Sequence, residues 1–288
     1  MAPSYDAIHP VLLEPIIRRA LEEDWGYRDW TTDLCVTGER QATAKIYAKE
    51  TLILAGQQVA KFVFLQVDPS LVVESTMSDG SPVNKGDCIL TISGSARSIL
   101  KAERVALNFL GRMCGIASNT HLFVQKLRGT KTQLLDTRKS TPGLRLIEKY
   151  ATSVGGARNH RIGLSDGVLV KENHIRAAGS ITQALAELRE SLPPTLKIEV
   201  ETSNLDEVQE ALSAGADIIM LDNMPLAEMT LAVRTIRGRA LVEASGNITL
   251  ENLRSVADTG VDFISSGAIM HSSRWSDLSL LFDLSPQV

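Results

Sequence analysis

The chain has 288 residues, enough for one large domain or two smaller ones with a substantial core, and its 44% apolar and 22% charged residues are an ordinary globular balance. A formal net charge of −4, an isoelectric point near 5.8 and only three Trp, four Tyr and six Phe argue against a nucleic-acid surface, which needs a basic stripe or a stacking platform. No apolar run is long enough for a signal peptide or a membrane span, and three dispersed cysteines (Cys35, Cys88, Cys114) form neither a disulfide framework nor a thiolate zinc site, so a cytoplasmic protein is expected.

Along the chain, Met1 to Asp24 reads as an amphipathic helix, with Val11 to Asp24 its clearest part, followed by a strand over Gln41 to Ala48 and a helix over Gln57 to Gln66. Short strands around Leu71 to Thr76 and Cys88 to Ser93 flank SDGSPVNKGD (Ser78 to Asp87), which is turn chemistry. A helix is expected over Ser98 to Met113, with Ile99, Ala102, Val105, Ala106, Phe109 and Leu110 on one side.

Near residue 115 the rhythm changes to alternating strand and helix. Gln133 to Asp136, Gly167 to Lys171, Leu196 to Glu201, Asp217 to Asp222, Leu241 to Ser245 and Asp262 to Ser265 read as buried parallel strands. Helices are expected over Ser180 to Ser191, Asn204 to Ala214, Pro225 to Arg237 and Thr249 to Asp258, with Ser180, Asn204 and Thr249 as N-caps and Pro225 in a first turn. Repeated β-α units predict an α/β protein: a C-terminal TIM-like parallel β/α barrel, closed or open, preceded by a smaller α+β N-terminal domain. The expected segments are 1–114, 115–273, and a tail, 274–288, that packs back on the N-terminal domain.

Charge is concentrated in the second part. From Asp136 to Arg176, eight Lys or Arg face four Asp or Glu, an excess of +4, so the other 247 residues carry −8. Within that window DTRKSTPG (Asp136 to Gly143), NHR (Asn159 to Arg161) and VKENH (Val170 to His174) lie beside apolar runs. Adjacent cations flanked by Gly, Ser, Thr and Asn differ from the i, i+4 charge mixture of a solvated helix face and point to a pocket for a small, multiply charged anion.

Each apolar strand also ends in polar residues, at the face where barrels carry their sites. In KIEVE (Lys197 to Glu201) the strand period sends Glu199 and Glu201 inward, where buried carboxylates need cation or hydroxyl partners. SGN (Ser245 to Asn247) and SSGA (Ser265 to Ala268) place glycine beside a hydroxyl ahead of a helix, a pattern for holding phosphate.

DTRKSTPGLR, GGARNHRIGLSDGVLVKENHI, KIEVE, IIMLDN, EASGNI and ISSGAI, in this order and spacing, resemble quinolinate phosphoribosyltransferases, as do AERVALNFL and Glu23-Asp24 followed by Thr31-Thr32. The likeness runs from about Glu23 to His271. Departures are Trp30 before the paired Thr, Ser140 where Thr is common, and Ser266 where Val is common; none removes a charged site residue.

The resemblance implies transfer of phosphoribose from phosphoribosyl pyrophosphate to quinolinate with loss of carbon dioxide, for NAD biosynthesis. By carry-over, Arg138, Lys139, His160, Arg161 and Lys171 face quinolinate, and Arg104 reaches over from a partner subunit of a homodimer. Lys139, Lys171, Glu201 and Asp222 carry the catalytic work and contact the donor, whose 5-phosphate is held by Ser245, Gly246, Asn247, Ser266, Gly267 and Ala268. Mg²⁺ is expected chiefly through the substrate, with Glu201 and Asp222 nearby.

Other readings stay open at this point: an acceptor such as nicotinate on a similar barrel, a serine hydrolase at Ser165 in GLSDG, a Schiff-base aldolase at Lys171, and a non-enzymatic anion binder. The hydrolase motif wants its strand before the serine, whereas here the apolar run follows. His9, His121 and His271 form no ligand spacing and read as surface or satisfied core residues; His174 is placed to orient Lys171 or Glu172.

Overall fold

The computed structural model describes residues 8–283. The first seven residues of the expected N-terminal helical stretch and the last five of the expected C-terminal tail lie outside that range. Two compact units are formed. Among the described residues, the first comprises 8–121, 141–156 and 273–283, and the second 122–140 and 157–272.

The first unit contains the helices α1 (Pro10–Trp25) and α2 (Trp30–Cys35), then β1 (Gln41–Ala48), β2 (Leu52–Ile53), α3 (Gln57–Val67), β3 (Val72–Ser75), β4 (Pro82–Val83) and β5 (Cys88–Ser95). α4 (Ala96–Lys126) follows and continues into the second unit. β1 pairs antiparallel with β5, and β5 with β3, across the turn predicted at 78–87. Left-handed Gly80 and Gly86 close that turn, the Asp87 carboxylate accepts from the Asn84 amide at 2.8 Å, and β2 pairs with β4 beside it.

α4 is 31 residues long, twice the expected helix, and runs straight through the boundary expected at 114/115. The physical reason is that its apolar face does not end at Met113: Cys114, Ile116 and Ala117 are all fully buried. Gly115, within the helix, is a packing residue. A Cβ there would sit 1.9 Å from the Arg274 carbonyl oxygen, so the glycine lets the returning chain lie on the helix. Beyond that contact β12 (Leu278–Phe282) pairs antiparallel with β1, completing the sheet order β12-β1-β5-β3.

α5 (Arg145–Val154) belongs to the first unit although it follows β6 in sequence. Its Glu148 has no exposed surface and is saturated by donors: Arg112 Nε at 2.9 Å and Nη2 at 2.8 Å, Thr141 Oγ1 at 2.7 Å and the Thr141 amide at 2.9 Å.

The second unit holds a parallel sheet of six strands, in the order β6-β11-β10-β9-β8-β7. The strands are β6 (Gln133–Leu135), β7 (Val168–Val170), β8 (Ile198–Thr202), β9 (Ile218–Asp222), β10 (Leu241–Ser245) and β11 (Phe263–Ser265). Around them stand α6 (Glu172–Ala178), α7 (Ile181–Ser191), α8 (Leu205–Ser213), α9 (Leu226–Ile236), α10 (Leu253–Ala257) and α11 (Ala268–His271).

The sheet is barrel-like. Among the described residues β6 and β7 do not pair; instead Arg158 bridges to Leu135 on β6, so the sheet is open between its two end strands. Carboxylate oxygens of Glu199 on β8 and Glu243 on β10 lie within 4.8 Å of each other across β9.

Ser180 and Asn204 cap α7 and α8 as expected, each accepting a backbone N–H. Two other helix starts differ. Pro225 is extended and precedes α9 as its N-cap. α10 begins only at Leu253, because the Asn252 side chain accepts from the Thr249 amide at 2.9 Å and donates to the Asn247 carbonyl at 2.9 Å, holding 247–252 as a closed loop.

Candidate active site

A cavity of about 750 Å³ opens over the C-terminal ends of the second unit's strands. Arg138, Lys139, His160, Arg161, Lys171, Glu201, Asp222, Ser245, Gly246, Asn247, Ser266, Gly267 and Ala268 all line it, so residues spread over 130 positions of sequence converge on one space. Arg104 is exposed on α4 in the first unit, and every lining residue belongs to the second.

Local chemistry explains how the cations are presented. Asp136, at the end of β6, is fully buried and accepts from the Asn159 side chain at 2.6 Å and from the His160 amide at 2.8 Å. This staple fixes NHR against the strand that leads into Arg138 and Lys139. Arg161 turns back to donate to the Gly167 carbonyl at 2.9 Å. Burial, and then the repulsion of Arg138, hold the Arg161 guanidinium below its ordinary pKa.

Lys171 leaves β7 and its ammonium is ion-paired to Glu201 at the end of β8. Its backbone amide donates to His174 Nδ1 at 2.9 Å, so His174 does orient the Lys171 turn. An ion-paired ammonium is an anion ligand, not the neutral amine an aldolase lysine must supply. Ser165 is exposed, and GLSDG is a tight loop closed by the Asp166 carboxylate on the amides of Ile162 and Gly163 at 2.6 and 2.7 Å, without the strand that a nucleophile elbow requires.

The opposite wall is built from strand ends with unusual backbone. Asn223 and Asn247 have φ of 53° and 50°, and Gly246 between the strand and Asn247 has φ of 93°. Asn223 bridges the two loops, donating to Asp222 at 2.8 Å and accepting from Asn247 at 2.9 Å. A Cβ on Gly246 would lie 2.3 Å from the Asn223 side-chain oxygen, so only glycine permits this contact. Ser266 is buried and its hydroxyl is spent on structure, donating to the Ile248 carbonyl at 3.2 Å and accepting from the Ala268 amide at 3.3 Å. SGN is not directly followed by a helix, so the donors here are loop amides in left-handed conformations.

Among the lining residues to which the sequence assigns no individual role are Asn223, His271 and Glu243. Asn223 stands beside Asp222 at the polar end of β9. His271, read as bland, lines the cavity and bonds Ser272 at 2.9 Å. Glu243 was detectable: it lies mid-strand in LVEAS, where the alternation that marked Glu199 also turns it inward. Its burial, followed by repulsion from Glu199, pushes the Glu243 carboxyl up to about 8.

The sequence patterns of known families match this layout. "Quinolinate phosphoribosyl transferase, C-terminal domain" covers residues 116–281 and the family's N-terminal domain covers 29–114. The chain belongs to the quinolinate phosphoribosyl transferase family. A probable nicotinate-nucleotide pyrophosphorylase (carboxylating) of Synechocystis is 46% identical over 273 residues, 94% of this chain and 92% of that relative. The chloroplastic nicotinate-nucleotide pyrophosphorylase (carboxylating) of Arabidopsis thaliana is 43% identical over 98% of this chain and 84% of its own length. Among solved structures, the nicotinate-nucleotide pyrophosphorylase of Francisella tularensis superposes with a TM-score of 0.92 at 40% identity, covering 97% of this chain and 99% of that one.

Proposed function

We propose that the protein transfers phosphoribose from phosphoribosyl pyrophosphate to the ring nitrogen of quinolinate, releasing pyrophosphate and carbon dioxide and leaving nicotinate mononucleotide for NAD biosynthesis. The observation that carries this reading is the single cavity in which Arg138, Lys139, Arg161 and Lys171 face the rim carboxylates Glu201 and Asp222 beside the loops at 245–247 and 266–268. Family membership supports the same reaction.

Four cations suit an acceptor with two adjacent carboxylates better than one with a single carboxylate such as nicotinate. A pure anion trap has no use for Glu201 and Asp222, whereas a ribose that becomes cationic as pyrophosphate departs is stabilised by both. Lys139 and Lys171 steady the leaving anion, and the loop amides at 246–247 with Gly267 hold the 5-phosphate. No protein nucleophile is needed, because holding acceptor nitrogen and donor carbon in line supplies the rate. Once ribosylated, the ring nitrogen is cationic and stabilises the electron pair left on the adjacent ring carbon as its carboxylate departs as carbon dioxide, and a proton from solvent then completes nicotinate mononucleotide.

The oxygen donors Glu201 and Asp222 suit Mg²⁺ held mainly by the donor's phosphates; the ion supplies charge neutralisation to the pyrophosphate. The active particle is a homodimer in which the exposed Arg104 completes the partner's site, and its compartment is the cytoplasm; no described helix is long and apolar enough to cross a membrane. Arg104→Ala and Lys171→Ala chains, each inactive alone, regain activity in mixed dimers on this view. Confirmed mixed dimers without recovery contradict the shared site.

The deciding assay incubates pure protein with quinolinate, phosphoribosyl pyrophosphate and Mg²⁺, with nicotinate as parallel acceptor, and follows products by mass spectrometry. Nicotinate mononucleotide from quinolinate alone is expected. Product only from nicotinate overturns the acceptor, and no product from either overturns the reaction.

A further inference from the structure

At the cavity wall His160 and Glu243, with the buried Glu199, form a cluster whose two carboxylates the reaction as described does not use. His160 Nε2 is 3.0 Å from Glu199 Oε2 and 3.7 Å from Glu243 Oε2, while His160 Nδ1 accepts from the Arg161 amide at 2.7 Å. An acceptor Nδ1 puts the ring proton on Nε2, pointed at the carboxylates. Glu199 and Glu243 are 4% and 1% exposed, and the Oε1 atom of each is buried without a hydrogen-bond partner.

Carboxylates are costly at such depth, and two side by side cost more than either alone. Neither carries the sheet: apolar residues at both positions would satisfy strand pairing, which uses only backbone groups. The pair's effect is on the residue above it. The ring is oriented at both nitrogens, and through Nδ1 it fixes the peptide from which the Arg161 side chain departs.

Building on the acceptor site proposed above, we infer that Glu199 and Glu243 are positioning residues for quinolinate. Glu199, flanked by Glu243, fixes the His160 ring and with it the Arg161 peptide, so that the pair sets acceptor affinity without touching the donor. Glu199→Gln keeps an acceptor for Nε2–H and adds a donor toward Glu243; Glu199→Leu has neither.

Steady-state kinetics on the full chain with both substrates varied test this. Glu199→Gln keeps KM for quinolinate within about twofold of wild type, whereas Glu199→Leu raises it roughly tenfold, the effect of one lost oriented hydrogen bond, with KM for phosphoribosyl pyrophosphate unchanged. Glu243→Leu provides the same reading if Glu199→Leu is insoluble, with a rise in quinolinate KM again confined to the acceptor. An unchanged quinolinate KM in the leucine variants, or an equal rise in both KM values, overturns the inference. His160→Asn separates this from the acceptor site itself: if it leaves quinolinate KM unchanged, the site assignment has failed, and if it raises KM while the leucine variants do not, only the positioning role has failed.

Discussion

Each unit buries carboxylates, and they are treated in opposite ways. In the first, Glu148 collects two donors from Arg112 and two from Thr141, leaving no oxygen unmet. In the second, Glu199 and Glu243 share one imidazole and keep an orphaned oxygen each. The first arrangement ties α4, the 141 turn and, through Arg112 Nη1 on the Ser273 carbonyl at 3.1 Å, the returning chain into one structural knot. The second tolerates electrostatic cost in a region whose work is to present charge to a ligand. Glu148, with its partners complete, thus serves architecture, while the incompletely partnered pair lies at the cavity.

The sharpest way to break this contrast is to unpair Glu148. Arg112→Ala strands a fully buried carboxylate and is expected to cost about 3–5 kcal/mol, seen as an early midpoint in urea unfolding. A loss under 1 kcal/mol, on the order of a surface substitution, contradicts the knot. Next comes Lys171→Ala in the cavity, where the half-exposed ion pair with Glu201 is worth at most about 1 kcal/mol to stability while turnover falls by about 10²-fold or more. Stability lost together with activity puts this lysine with the scaffold instead.

A third prediction concerns pH. The Glu243 carboxyl is raised from 4.5 to about 8 in the folded protein, so the folded state binds more protons than the unfolded one between those values. Stability from this group is present below about 4.5 and is lost as pH rises through 8. Glu243→Gln removes that slope and melts at a higher temperature than wild type above pH 8, measured as thermal midpoints across the range. Parallel wild-type and variant curves contradict the shifted carboxyl.

Much of this was legible in the sequence because barrel strands announce themselves: period-two burial in KIEVE and polar termini in IIMLDN and EASGN located Glu199, Glu201, Asp222 and the 245–247 loop. What failed did so where long-range contacts override local signals. The helix expected to end at Met113 runs on because Cys114, Ile116 and Ala117 are buried, and Thr249 reads as a cap until Asn252 claims its amide. The return of the chain's end as β12 beside β1 agrees with the tail expected to pack back on the N-terminal domain, whereas no local pattern encodes that α5 joins the first unit, since Glu148 meets Arg112 36 residues away. His271 gives no local signal, since it forms no ligand spacing with another histidine, and only the fold brings it to the cavity.

The central claim is that one cavity reads both anions through the strand ends of the second unit. A crystal structure with quinolinate and an unreactive analogue of the donor tests it most directly. The account predicts quinolinate carboxylates within hydrogen-bonding distance of Arg138, Arg161 and Lys171, and the donor's 5-phosphate on the loops at 245–247 and 266–268. Quinolinate bound elsewhere, or a phosphate away from those loops, contradicts it.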